Sequence, residues 1–302
     1  LQRDDPPVAL KDHLAGRLAH VFRPDDGAIG RLAFRRPGYN RASVRLQLGR
    51  EQRLDYKIDA RASKLTVLAN TLRRGAHEAT FLPSGEILAL FEGFISLFEK
   101  REVAFDGTYY DACRALETPG LRGVKPGVQD VIDDLRKVIG GRVELAGSRF
   151  YVRGGLGHLE AHLLSEGMRK LGAIVRLLQN GSLEERGVLL WDEPEANLNP
   201  KLVIKVVDVL ARLASLGIQI IVASHDYLLV ESLGLLAERD AKRDGTGFRF
   251  FSFGRQRGTR GVQVTSASQL GDLPGNPIRD EFLAHYDRMR GIEPIADGRR
   301  RR

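Results

Sequence analysis

Cysteine is nearly absent. Cys113 stands alone among 302 residues, so no disulfide can form within the chain, which fits a reducing compartment; the cytoplasm is the expected one. A lone thiol reads as a small core or surface residue before it reads as a nucleophile. No apolar run approaches the ~18 residues that a membrane-spanning helix needs. There is no G-x-S-x-G elbow and no C-x-x-C pair, which removes the usual marks of a serine hydrolase and of thiol redox or zinc chemistry. "HLEAH" sets His158 and His162 four residues apart, but its acid is not where a zinc protease needs one, and the segment reads as a solvated helix face. No internal repeat and no long heptad array is present, so an extended coiled-coil arm is excluded.

What is present is ordinary in bulk. Hydrophobic residues make up 42% and charged residues 28%, as in globular chains with ample core for one large domain or two modest ones. The net charge is +8 and mostly arginine. That permits contact with nucleic acid or another polyanion, but an arginine-rich surface can also reflect composition alone.

Along the chain, "PPVALKDHLAGRLAHVF" predicts a helix entered through Pro6 and Pro7. "GRLAFRR", "RASVRLQLG" and "KLTVLAN" predict strands, separated by turn chemistry such as "RPGYN". "EATFLPSGE" predicts another strand, stopped by Pro83, and the pattern is helical from Glu86 to about Ile139. "GRVELAGSRFYVRGG" predicts a hairpin around "AGS". A helix from near Leu164 to Asn180 is closed by Gly181. Then follow strand "GVLLWDE", helix "PKLVIKVVDVLARLASLG", strand "IQIIVASHD" and helix "YLLVESLGLLAERD". That alternation predicts parallel strands joined by crossover helices, and the unbroken apolar runs predict strands covered on both faces. Strands "FRFFSFG" and "GVQVTSA", helix "PIRDEFLAHYDRMR" and a "GRRRR" tail close the sequence.

The chemistry concentrates at two consecutive strand ends. Asp192 and Glu193 follow the first, and Ser224, His225 and Asp226 follow the second. Buried carboxylates need a cation, a partner or a chemical role to offset their desolvation. In parallel α/β sheets, ligands bind beyond the carboxyl ends of the strands. Two acids beside a Ser-His pair therefore suggest a site for phosphate with a divalent cation, whereas each strand end taken alone could be no more than a polar helix entry.

"LLWDEPEANLNP" followed by "IIVASHD", with "LLSEGMRK" ahead of both, resembles the Walker B, D-loop, H-loop and signature series of ABC-type ATPases. The resemblance is to soluble AAA-family proteins grouped with RecF, SMC and overcoming-lysogenization-defect ATPases, many of them from phage-defence or toxin–antitoxin loci. "FLPSGEILALFEGFISLFEKREVAFDGTYYDACRAL" also resembles a block of these proteins. The likeness spans about residues 80–290 and is most specific over 163–226. It implies a P-loop NTPase fold of ABC-ATPase type: a mainly parallel sheet flanked by helices, with an antiparallel β subdomain and a helical lobe. The implied division is 1–85 for the remainder of an N-terminal lobe, 86–160 for a helical lobe and hairpin, and 161–302 for the motif-bearing part.

By the same resemblance, Asp192 is the Mg²⁺ residue, Glu193 orients or deprotonates the attacking water, and His225 contacts the γ-phosphate. Ser165 and the backbone of Gly167 would donate to ATP held by the opposing protomer of a homodimer, and Asn199 stands at the D-loop acid. The chain departs from the pattern in three places: Glu166 replaces the usual first signature glycine, Met168 the glutamine, and Asn199 the aspartate. A larger departure is that no G-x-x-x-x-G-K-[ST] phosphate loop occurs. Since the sequence opens on Leu1, the expectation is that it begins downstream of such a loop and is inactive alone, rather than being an ATP-independent paralogue. The implied activity is ATP hydrolysis driving nucleic acid or a co-encoded effector protein. The alternatives are a transporter nucleotide-binding subunit, against which the altered signature stands, and a non-hydrolysing interaction module. Nothing after His225 shows the acidic pattern of a fused nuclease.

Overall fold

The computed structural model describes residues 9–34, 38, 40–73, 79–101, 103–155, 157–241, 247–255 and 261–291. The Pro6-Pro7 entry, most of the "RPGYN" turn and the "GRRRR" tail lie outside the described residues.

Helix α1 (Leu10–Phe22) closes on Arg23, whose left-handed φ of 44° brings its N–H to the Ala19 carbonyl. The run "GRLAFRR", expected as a strand, is instead a 3-10 turn over Ile29–Leu32. Gly30 supplies the reason: a Cβ there would lie 2.7 Å from Ser63 Oγ and 2.8 Å from the Ala60 carbonyl oxygen. Its backbone is pressed onto a neighbouring turn, not laid in a ladder.

The strand that the sequence pattern hid is β2 (Gln52–Asp59), central between β1 (Arg41–Leu48) and β3 (Lys64–Asn70) in an antiparallel sheet. Its alternate positions are charged, and Asp55, 7% exposed, is answered by Arg45 at 3.3 Å and by Arg53. A buried carboxylate paired in this way is compatible with a strand interior. Ile29, Ala33, Ile58, Ala60 and Leu65 form a small core between this sheet and α1.

The main core runs from Leu82 to Leu229. It is built around a parallel sheet of order β4-β8-β9, formed by β4 (Ala79–Leu82), β8 (Val188–Asp192) and β9 (Gln219–Ala223). Thr80, Leu82, Leu189 and Trp191 are buried on one face. The expectation that both faces are covered fails for β9, whose residues alternate between half-buried and exposed. Phe81 and Ile221, on the second face by register, are 36% and 48% exposed.

The helical stretch begins later than its periodicity suggests. Gly93, at φ 72°, precedes α2 (Phe94–Lys100), and residues 86–93 are turns and irregular backbone. Helices α3 (Gly107–Glu117) and α4 (Pro126–Ile139) follow. The hairpin of β5 (Gly141–Ala146) and β6 (Arg149–Gly154) forms as expected, and β7 (Gly157–Glu160) adds a third strand. His158 therefore lies in a strand and His162 in a 3-10 turn, so the two do not share a helix face. His158 stacks on Tyr151 at 4.3 Å.

Cys113, on α3, is fully buried. Burial pushes its thiol up to about 12 from 9.0. A thiol raised on folding contributes stability that is whole below 9.0 and is lost as pH rises toward 12. The native chain should resist iodoacetamide at pH 8 and react only on unfolding. Alkylation of the folded chain at the rate of a free thiol would contradict this burial.

Four more elements support the site: α5 (Glu166–Asn180), α6 (Pro200–Ser215), α7 (Tyr227–Ala241) and α8 (Pro277–Met289). The late strands β10 (Phe250–Arg255) and β11 (Val262–Ala267) pair only with each other among the described residues. α8 docks on α7 through a Tyr227–Phe282 ring stack at 3.9 Å and an Arg279–Glu231 ion pair at 2.9 Å. Among the described residues no helix is long and apolar enough to cross a membrane.

Candidate functional site

β8 and β9 run parallel with Asp192 opposite Ala223. The segments that leave them, Glu193 onward and Ser224 onward, therefore emerge side by side at one end of the sheet. The Glu193 N–H donates to the Ala223 carbonyl at 2.8 Å. Glu193 then turns with φ of 44°, a left-handed value that a non-glycine residue adopts only when its surroundings impose it. Its carboxylate Oε1 lies 3.0 Å from His225 Nδ1. His225 is 77% exposed and Glu193 36%, so this pair adds little to stability. Its accessible position leaves it free for chemistry. Asp192, half-buried, ends β8 one residue earlier.

The chain after Glu193 forms a tight turn, with Ala196 N–H donating to the Glu193 carbonyl (3.0 Å) and Leu198 N–H to the Glu195 carbonyl (2.9 Å). Asn197 is also left-handed, at φ 62°. Asn199 caps α6, its side-chain oxygen accepting from Leu202 N–H at 3.1 Å, and Pro200 opens the helix. Capping accounts for an amide here, because Asn and Asp serve equally well at this position.

Ser165 caps α5 through a long bond from Met168 N–H, 3.4 Å. Gly167 lies where a Cβ would come within 2.7 Å of Leu202 Cδ1 and 2.8 Å of Leu198 Cδ2. Glycine thus lets the first turn of α5 sit against the start of α6. The structure brings Asp192, Glu193 and His225 to one sheet end, and Gly167 and Asn199 to the adjoining α5–α6 contact, with Ser165 at the tip of α5. Glu166 is turned back into the protein: Oε1 accepts from Asn197 Nδ2 at 3.0 Å and lies 3.9 Å from Lys170 Nζ.

Two residues of this region carry no expectation from the motifs. Lys170 is 4% exposed and donates to the Ala196 carbonyl at 2.8 Å and, at a longer 3.4 Å, to that of Glu193. Burial pushes its ammonium below the ordinary lysine value, against the opposing pull of Glu166, Glu195, Glu193 and Glu86. Glu195, 7% exposed, accepts the Ser224 hydroxyl proton at 2.6 Å. Ser224 Oγ in turn accepts from Asp226 N–H at 3.0 Å, and Asp226 caps α7 at Leu229 N–H, 2.7 Å. A signal for Lys170 is present in the sequence: it shares the α5 stripe of Ala173, Ile174 and Leu177, all core positions. Beside His225 opens a groove of about 470 Å³ lined by Tyr227, Ile278, Phe282, His285 and Arg288.

The oxygens of Asp192 and Glu193 suit a hard cation. No group of three or more His, Cys, Asp or Glu closes on a common point among the described residues.

Residues 38–231 match the family described as "AAA domain, putative AbiEii toxin, Type IV TA system". No curated protein matches the chain. Among solved structures, an SMC head bound to the C-winged helix domain of ScpA is 12% identical, over 76% of this chain and 74% of that one, with a TM-score of 0.47. The SMC head domain from Thermotoga maritima is 13% identical over 76% and 80%, with a TM-score of 0.40. A dimeric ATP-binding cassette in a post-hydrolysis state with ADP and Pi is 14% identical over 59% and 66%, with a TM-score of 0.26. Since the family match covers more than half of the chain, the chain belongs to this AAA-domain family, and its fold is mixed α/β with parallel and antiparallel sheets.

Proposed function

We propose that this protein binds and hydrolyses ATP with Mg²⁺, and that the β8 and β9 ends carry the hydrolytic part of the site. The observation that carries this reading is the 3.0 Å approach of His225 to Glu193 beyond two adjacent parallel strands, with Asp192 alongside. Mg²⁺, when bound, would neutralise charge on the transferring phosphoryl group. Asp192 would hold it, directly or through water. Glu193 is accessible and held by His225 through Oε1, so its other oxygen can accept a proton from an adjacent water. His225 would donate from its second ring nitrogen to a phosphate oxygen when the ring carries both protons.

Ser165 and the free amides of the α5 first turn are suited to an anion. They serve, in this proposal, the nucleotide of a second copy in a sandwich dimer. Glu166 is less of an obstacle there than its charge suggests, since Asn197 and Lys170 draw it away. Residues 1–85, 86–160 and 161–302 are proposed as the N-terminal lobe, helical lobe and motif-bearing part. The work driven by the cycle is placed in the cytoplasm, on nucleic acid or a co-encoded effector, in phage defence or DNA maintenance; the +8 charge supports a polyanionic contact. A second reading, a non-hydrolysing interaction module, gains support only if the protein as its gene encodes it also lacks G-x-x-x-x-G-K-[ST].

Phosphate release by the protein as its gene encodes it separates the two. It should require Mg²⁺ and fall about 10²-fold in Asp192→Asn, the scale of losing one electrostatic stabiliser. Release that ignores both Mg²⁺ and Asp192, or no binding of ATP at all, would defeat the hydrolytic reading.

A further inference from the structure

Lys170 occupies an unusual position. An ammonium buried to this degree needs partners, and this one spends its protons on backbone carbonyls of the acidic turn, 2.8 Å from Ala196 and 3.4 Å from Glu193. Its nearest carboxylate is Glu166, 3.9 Å away on its own helix. The turn it holds contains both left-handed non-glycine residues of the site, Glu193 and Asn197. Such conformations persist only where neighbouring contacts over-determine them. Across the turn, Glu195 holds the Ser224 hydroxyl at 2.6 Å through Oε1, while its buried Oε2 finds no hydrogen-bond partner among the described residues. The half-satisfied Glu195 carboxylate and the Lys170 ammonium attract each other across the turn. One connected set of groups thus joins α5 to the Glu193 turn and the turn to the strand end that bears His225.

We infer that Lys170 is a positioning residue: through the Ala196 and Glu193 carbonyls it fixes the turn that aims the Glu193 carboxylate at His225, with Glu195 carrying the constraint on to Ser224. The inference rests on the hydrolytic reading for its catalytic consequence, but not for its structural one. Lys170 touches neither the proposed water nor the nucleotide, so its loss acts on the hydrolytic step. Any movement of α5, whose tip bears Ser165, is transmitted to Glu193 along the same contact.

The test uses Lys170→Met in the protein as its gene encodes it, a change that keeps the bulk and removes the donors, with Glu195→Gln as the second variant. Hydrogen exchange of the amides of Glu193, Ala196 and Leu198, each bonded within the turn or to β9, should quicken about tenfold in Lys170→Met. Amides of the α6 interior should keep wild-type rates. The rate constant kcat for ATP should fall about tenfold or more, with KM within about twofold, the pattern of a misplaced reacting group. Unchanged exchange in the turn, exchange raised evenly through the chain, or an unchanged kcat in a hydrolysing protein would each overturn the inference. If Lys170→Met does not fold, Glu195→Gln decides by the same readouts: loosening confined to the turn supports the inference, and none overturns it. If the wild type hydrolyses no ATP, the hydrolytic reading fails, and the exchange measurement alone decides whether Lys170 sets the turn.

Discussion

Glu193→Gln in the protein as its gene encodes it should lower ATP hydrolysis roughly 10²–10⁴-fold, the usual contribution of a positioned general base, and leave an ATP-bound dimer that elutes early in gel filtration. The amide preserves the shape of the side chain and can still meet His225. What it cannot do is take a proton from water. Because the Glu193–His225 pair is exposed, its loss should leave the unfolding midpoint within experimental error. That combination, a large kinetic effect with none on stability, distinguishes a chemical role from a structural one. An unchanged hydrolysis rate would remove Glu193 from the site.

Trp191→Ala should have the opposite signature. Trp191 is 2% exposed on β8, with Leu82 opposite it on one side and Val222 on the other. Truncating a buried aromatic of this size costs about 3–5 kcal/mol through lost burial and the cavity left behind. Far-UV circular dichroism during urea unfolding is the suitable measurement, since the substitution removes the only tryptophan. A loss below about 1 kcal/mol would show that the parallel sheet is not packed as described. The cavity would open one residue before Asp192 on the same strand, so activity should fall together with stability.

The sequence was most legible where local chemistry and long-range packing demand the same residue. Gly181 ends α5 in the left-handed conformation that its place after Asn180 suggests, and Ser165 and Asn199 cap the helices that follow them. The acids and the imidazole close neighbouring parallel strands because one long amphipathic helix, α6, carries the chain back from the end of β8 to the start of β9. Where the sequence misled, a tertiary contact had overruled the local pattern. "GRLAFRR" alternates like a strand, yet the contact of Gly30 with Ala60 bends it. β2 escapes notice because its buried Asp55 is matched partly by Arg45 of β1, which only the folded sheet brings near.

Lys170 and Glu195 illustrate the limit at the site itself. A lysine on an apolar stripe is a recognisable anomaly, but only the turn opposite reveals that its partners are backbone carbonyls. Likewise the acid at Glu166, which reads from the sequence as a charge in the path of phosphate, is redirected by Asn197 and Lys170.

The central claim, that Asp192, Glu193 and His225 share one metal–nucleotide site, is tested most directly with Mn²⁺ in place of Mg²⁺. In the presence of ATP, the paramagnetic ion should broaden the His225 ring signals far more than those of His13 or His158, and Asp192→Asn should abolish that selectivity. Ring signals of His225 that broaden no more than those of the remote histidines would contradict a shared site.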